Sequence, residues 1–208
     1  MFLQPGQLTA LILAVSFSSG LNVYLTVAVL GILSRTGVLE LPASLHTVAS
    51  WYVIVPCAIL VAIEFTADKI PIFDLLWNAL QTFVRVPVAA LLAYGASSQL
   101  SPQMKLLAAL LGGLIALAAH GGKIAARAAV SHSPEPFSNI ALSVGEDGLV
   151  VFLTWFAGKH PYWTSAIVLA GLALILIMVQ FVWRSLRALF SDADQAVSKS
   201  LDSGTSAR

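Results

Sequence analysis

Residues 62–85 read AIEFTADKIPIFDLLWNALQTFVR, an apolar run interrupted by Glu64, Asp68, Lys69, Asp74 and Arg85. Ionised side chains at membrane depth are costly and rare, and they mark a pathway or a site by default. The same kind of residue recurs at helical spacing elsewhere, since residues three and four apart share a helix face. His120, Lys123 and Arg127 form one such line. Asn139, Ser143 and Glu146 form another, with Asp147 beside it. Asn78 and Gln81 lie between Asp74 and Arg85, and Ser19, Asn22 and Thr26 line an earlier segment.

These residue types suit charge handling more than bond breaking. Glu146 or Asp147 can take up a proton or a cation, with Arg85 as counter-charge. His120, Lys123 and Arg127 can attract an anion, and an imidazole suits proton transfer near neutral pH. The acids Glu64, Asp68, Asp74, Glu146 and Asp147 face the bases Lys69, Arg85, Lys123 and Arg127, so the group nearly balances its own charge. Arg85, Glu146 and Asp147 fall near the middle of their segments. The others fall toward one end. The expectation is an Arg85 pair with Glu146 or Asp147 at the midplane, above a cytoplasmic vestibule. Plainer readings stand beside it. Asn22, Thr26, Asn78 and Ser143 can serve helix packing alone. Lys69, Asp74 and Arg127 can snorkel to an interface. His120 can be a hydrogen-bonded interior histidine rather than a metal ligand.

The elements that must position these residues follow from composition. The chain has 208 residues, of which 58% are hydrophobic and only 10% charged. A soluble domain carries about 25% charged residues. The balance therefore predicts an all-α polytopic membrane protein with a polar interior and the lipid bilayer as its surroundings. A net charge of +1 gives no reason to expect nucleic acid. The single Cys57 excludes an internal disulfide framework. The N-terminal MFLQPGQ lacks the basic start of a cleaved signal peptide.

A spanning helix needs roughly 20 apolar residues, and six are expected: 7–34, 49–69, 72–97, 103–130, 137–158 and 162–189. Pro42, Pro71, Pro102, Pro134, Pro136 and Pro161 separate most of them, while Pro56 and Pro87 fall inside helices and should kink them. The sixth has almost no polar residue and should be peripheral. Residues 1–190 are read as one transmembrane domain, and 191–208 as a mobile tail. Lys and Arg near the helix ends put both termini in the cytoplasm of a bacterial inner membrane. Trp51, Trp163 and Trp183 lie where an aromatic belt requires them.

The ends Ala67-Asp68-Lys69-Ile70-Pro71 and Ala157-Gly158-Lys159-His160-Pro161 echo each other. They suggest inverted three-helix repeats over 7–97 and 103–189, or a chance match. Helix 4 carries Gly112, Gly113, Ala116, Ala119, Gly121 and Gly122. These residues allow close packing or backbone opening at Gly121-Gly122.

The segments SSGLNVYLTV at 18–27, EFTADKIPIFDLLWNALQTFVRVPVAALLA at 64–93, HGGKIAAR at 120–127 and NIALSVGED at 139–147 together resemble a bacterial membrane family labelled domain of unknown function 4126. The resemblance implies a membrane protein and carries no settled activity. It also implies an acid where Asn78 stands and a His where Gln81 stands, so helix 3 departs from that protonatable set.

Three functions remain. The first is a transporter or channel for an ion or small polar solute, possible as a proton-coupled device and as a homo-oligomer. The second is a membrane enzyme acting on a lipid or isoprenoid phosphate. The third is a structural or assembly protein. No nucleophile elbow, zincin motif or phosphate-cradling Gly loop supports the second, and no cofactor is expected.

Overall fold

The computed structural model describes the backbone at residues 3–67, 71–130 and 136–205. Side chains at 67, 71–79, 128–130, 136–139, 182–183, 185–186 and 188–205 lie outside that description. Asp68 and Lys69 are therefore outside the described residues, and so are the side chains of Asp74, Asn78, Asn139 and Trp183.

Among the described residues every regular element is helical: α1 (Pro5–Arg35), a 3₁₀ helix (Ala43–Ala49), α2 (Trp51–Ala67), α3 (Pro71–Ala96), α4 (Pro102–Val130), α5 (Pro136–Lys159) and α6 (Pro161–Thr205). Five of the α-helices have proline as their first residue, where its missing N–H costs nothing and its φ is already helical. The predicted boundaries are matched within a few residues at most ends. Among the described residues four helices, α1 included, are long and apolar enough by length and composition to cross a membrane, or five if Ala43–Ala49 and Trp51–Thr66, bent by 59° at Ser50, count as one.

By compactness the chain divides into two units, Met1–Leu172 and Ala173–Arg208. The second is helical through Thr205. That stretch contains Ala, Gln, Lys and Leu, and no Gly or Pro before Gly204, so nothing in it stops a helix.

The first unit is built around α1. Its apolar window is 72% buried, against 11% for Pro161–Phe181 of α6. α1 is not a straight span. Asn22 has φ −151° and ψ 101°, an extended residue in the middle of a helix. The chain reverses there. A straight helix of this length would separate its ends by about 45 Å at 1.5 Å per residue. Instead Leu3, Gln7 and Leu11 line one cavity of ≈ 230 Å³ with Gly37, Val38, Leu39 and Glu40. Leu11 and Val15 share a core cluster with Val27 and Leu30. Residues 5–21 and 23–35 are thus two arms of a hairpin.

The segment after α1 closes the open end of this hairpin. Gly37, at φ 71°, takes the left-handed turn that ends α1. Val38 N–H then returns to Leu33 O at 3.0 Å. Leu39, Leu41 and Leu45 are buried. Ser44 Oγ donates to Gly95 O at 2.7 Å, and Gln99 exchanges two hydrogen bonds with the backbone of Leu3. The first residues, the loop after α1 and the end of α3 therefore meet at one end of the unit.

This fold-back corrects the sequence reading of residues 7–34 as one continuous helix. Thirty apolar residues look the same whether they cross or return. It also separates the two halves in shape: α1 reverses, while α4 is helical from Pro102 to Val130. The opening considered at Gly121-Gly122 lies in α1 instead. The 3₁₀ helix at Ala43–Ala49 was also missed, its Ser, His and Thr content giving no apolar period.

Glycines let the arms approach their neighbours. A Cβ on Gly20 would stand 2.4 Å from Ala116 O and 2.7 Å from Ala119 Cβ. One on Gly112 would stand 2.6 Å from Ala93 Cβ. The small face of α4 is therefore spent on α1 and α3, with Gly121 open within 4 Å.

Candidate functional site

The break in α1 frees backbone groups that a continuous helix would pair. In a helix Leu21 O would accept from Leu25 N–H. Here Leu25 N–H goes to Asn22 Oδ1 at 2.9 Å, so Asn22 caps the second arm. Leu21 O instead accepts from Arg85 Nη1 at 2.8 Å and Lys123 Nζ at 3.1 Å. Gly20 O also accepts from Arg85 Nη1, at 3.1 Å. The carbonyl end of one arm, with its partial negative charge, thus meets cations from α3 and α4. The amide of Asn22 donates to Asp147 Oδ1 at 3.0 Å, placing an acid beside the amide end of the other arm.

The remaining charges link up around this turn. Glu64 Oε1 pairs with Arg85 Nη2 and lies 3.5 Å from Lys123 Nζ. Lys123 Nζ is 3.2 Å from Glu146 Oε2, which also holds Arg127 Nη2 at 3.1 Å. Arg85 Nη1 lies 3.0 Å from His120 Nδ1. A guanidinium only donates, so Nδ1 accepts and a neutral His120 carries its proton on Nε2. Arg85, Glu64 and His120 are essentially inaccessible, at 0%, 1% and 1% exposure. Among the described side chains Glu64, Glu146 and Asp147 balance Arg85, Lys123 and Arg127. That balance offsets the desolvation that a lone buried charge could not survive.

Five helices therefore contribute to one cluster: the α1 turn, Glu64 of α2, Arg85 of α3, His120, Lys123 and Arg127 of α4, and Glu146 and Asp147 of α5. Ser143 is buried on the same helix as the last two. The convergence agrees with the sequence reading, but the partners differ. Arg85 takes Glu64, not Glu146 or Asp147. α1 packs on α3, α4 and α5, and its turn stands where the reading brought α3 to α5. The two expected layers are also one connected network, joined through Lys123. Asp68, Lys69, Asp74 and Asn139 lie outside the described side chains.

Sequence reasoning gave Asn22 only a place in a polar line and gave the Gly20 and Leu21 carbonyls none. The signal was present in Ser18-Ser19-Gly20-Leu21-Asn22, where four of five residues are weak helix formers inside an apolar segment. Ser16, Ser18 and Ser19 are fully buried, and their hydroxyls have no hydrogen-bond partner among the described residues. Gln81 Nε2 donates to Tyr24 OH at 3.1 Å, tying α3 to the second arm. Among the described residues no three His, Cys, Asp or Glu side chains gather to hold a metal ion.

No curated protein matches the chain, and no solved structure does. The family described as "Domain of unknown function (DUF4126)" matches residues 9–182. The match takes in every residue of the cluster, and the chain belongs to that family.

Proposed function

We propose that this is a small integral membrane transporter for an ion or small polar solute, working at the turn of α1 in a bacterial cell membrane. One observation carries the reading: a helix broken at Asn22 turns its freed carbonyls onto buried cations of other helices. Secondary transporters bind solutes at interrupted helices near the midplane. Irregular backbone is tolerated at such depth only inside protein or along a hydrated cavity. The equal count of acids and bases among the described side chains lets partners exchange without stranding a charge. Glu146, shared by Lys123 and Arg127, is the acid that a proton or a competing anion would release. The buried hydroxyls of Ser16, Ser18 and Ser19 add polar groups along the arm that leads to the turn.

With α1 returning on itself, α2 to α6 make five crossings in this proposal, and the termini lie on opposite faces. Arg127, Arg184, Arg187, Lys199 and Arg208 draw the C-terminal face to the cytoplasm. The N-terminus, Arg35, Lys105 and Lys159 then lie outside.

Flux in liposomes tests the proposal. Purified full-length protein would be assayed with proton, potassium, chloride and inorganic phosphate probes. The expected result is flux of at least one probe, falling about tenfold or more in folded Glu146→Gln and Arg85→Ala, as for groups acting in the transport step. Wild-type flux in both folded variants, or no flux of any ion by wild type, contradicts it.

A further inference from the structure

We propose that His120 Nδ1 is a proton-binding site whose occupation releases the turn of α1. This deepens the transport reading by naming a proton as a ligand and the hairpin turn as the part that responds.

The geometry makes three acceptors share the two hydrogens of one guanidinium nitrogen. Arg85 Nη1 donates to His120 Nδ1 at 3.0 Å and to Gly20 O and Leu21 O at 3.1 and 2.8 Å. Nδ1 accepts only while it carries no proton. A proton added there turns the acceptor into a donor, so the Arg85 bond and the proton exclude each other. The imidazolium then stands against Arg85 and Lys123 as a third cation around Glu64. Like charges at such range repel strongly where water is excluded. Arg85 must leave His120, and the two turn carbonyls lose the donor that joins them to α3. A cap made by Asn, Gln or Ser would serve packing equally well, but only imidazole changes from acceptor to donor near neutral pH.

Every packed element supplies groups that bear on this step. α1 gives the Gly20 and Leu21 carbonyls, and α2 gives Glu64. α3 gives Arg85, α4 gives Lys123 and Arg127, and α5 gives Glu146 and Asp147. Asp68, Lys69 and Asp74 lie outside the described side chains. Glu64 is shared by Arg85 and Lys123 and can turn to the new cation. Proton uptake therefore rearranges the cluster without leaving it bare.

The test reads the ring and the turn separately, in full-length protein in lipid nanodiscs. Nitrogen NMR of labelled histidine, with His120 assigned by comparison with His120→Asn, gives the tautomer. Ser19→Cys on a Cys57→Ser background reports turn exposure through alkylation by a small maleimide. At pH about 8.5, well above the ordinary histidine range, Nδ1 of His120 is expected to be bare. Protonation of Nδ1 once the pH is lowered to about 5.5 is the expected result, and a ring whose Nδ1 stays bare there overturns the proposal. Alkylation should quicken by about tenfold as an open state becomes populated. In His120→Asn, whose side-chain oxygen can accept where Nδ1 stands and does not titrate, the rate should be the same at both pH values. A proton on Nδ1 at high pH overturns the proposal, and so does an alkylation rate that is unchanged while His120 titrates. A pH effect that survives in His120→Asn also overturns it. If that variant does not fold, the wild-type tautomer and rate decide alone. Neither readout needs a transported solute. Absent flux therefore bears on the transport reading, and an inert turn bears on His120.

Discussion

Glu64 is the residue on which the cluster's charge balance turns, because one oxygen serves both Arg85 and Lys123. Glu64→Ala should lower stability by about 3–5 kcal/mol, the cost of stranding a buried charge, measured by thermal unfolding in detergent. Glu64→Ala combined with Arg85→Leu should recover part of that loss, because no stranded guanidinium remains. Asn22 carries a smaller load of a different kind. Asn22→Ala should cost about 0.5–2 kcal/mol through the lost cap on Leu25. Asn22→Asp keeps an acceptor for Leu25 but sets a carboxylate against Asp147, so its destabilisation should ease as the pH is lowered. The charged residues of the cluster were legible in the sequence because charge inside an apolar run stands out against its surroundings. Their pairing was not. Which acid meets Arg85 depends on what lies between α3 and α5, and that is decided by one extended residue in α1.

At the scale of elements, glycine marks which helix faces are committed. Gly20→Ala should destabilise by about 1–3 kcal/mol, because the new methyl meets the backbone oxygen of Ala116, which cannot swing aside. Gly121→Ala meets nothing within 4 Å, and should be neutral or stabilise by up to about 1 kcal/mol through its restriction of the unfolded chain. The same unfolding measurement separates the two. Helix ends were readable from Pro71, Pro102, Pro136 and Pro161, since proline both ends one helix and starts the next. The direction of α1 was not readable. Hydropathy measures depth, and both arms of a buried hairpin are as apolar as a crossing helix.

For the whole molecule, the fold-back changes which chain ends share a face. Gly158 meets Leu39, Gly95 meets Leu45, and Gln99 holds Leu3. The starting residues, the loop after α1 and the ends of α3 and α5 therefore share one end of the first unit. The membrane class was evident from composition alone, but the return of α1 required the contact between Leu3 and Gln99, far apart in sequence. Single cysteines at Gln4, Glu40 and Ser203, placed on a Cys57→Ser background in intact cells, would read the outcome with a membrane-impermeant maleimide. Gln4→Cys and Glu40→Cys should both label from outside, with Ser203→Cys labelled only after the cells are opened. Labelling of Gln4→Cys and Glu40→Cys from opposite faces would mean that α1 crosses the membrane, and would contradict the hairpin on which the charged cluster is built.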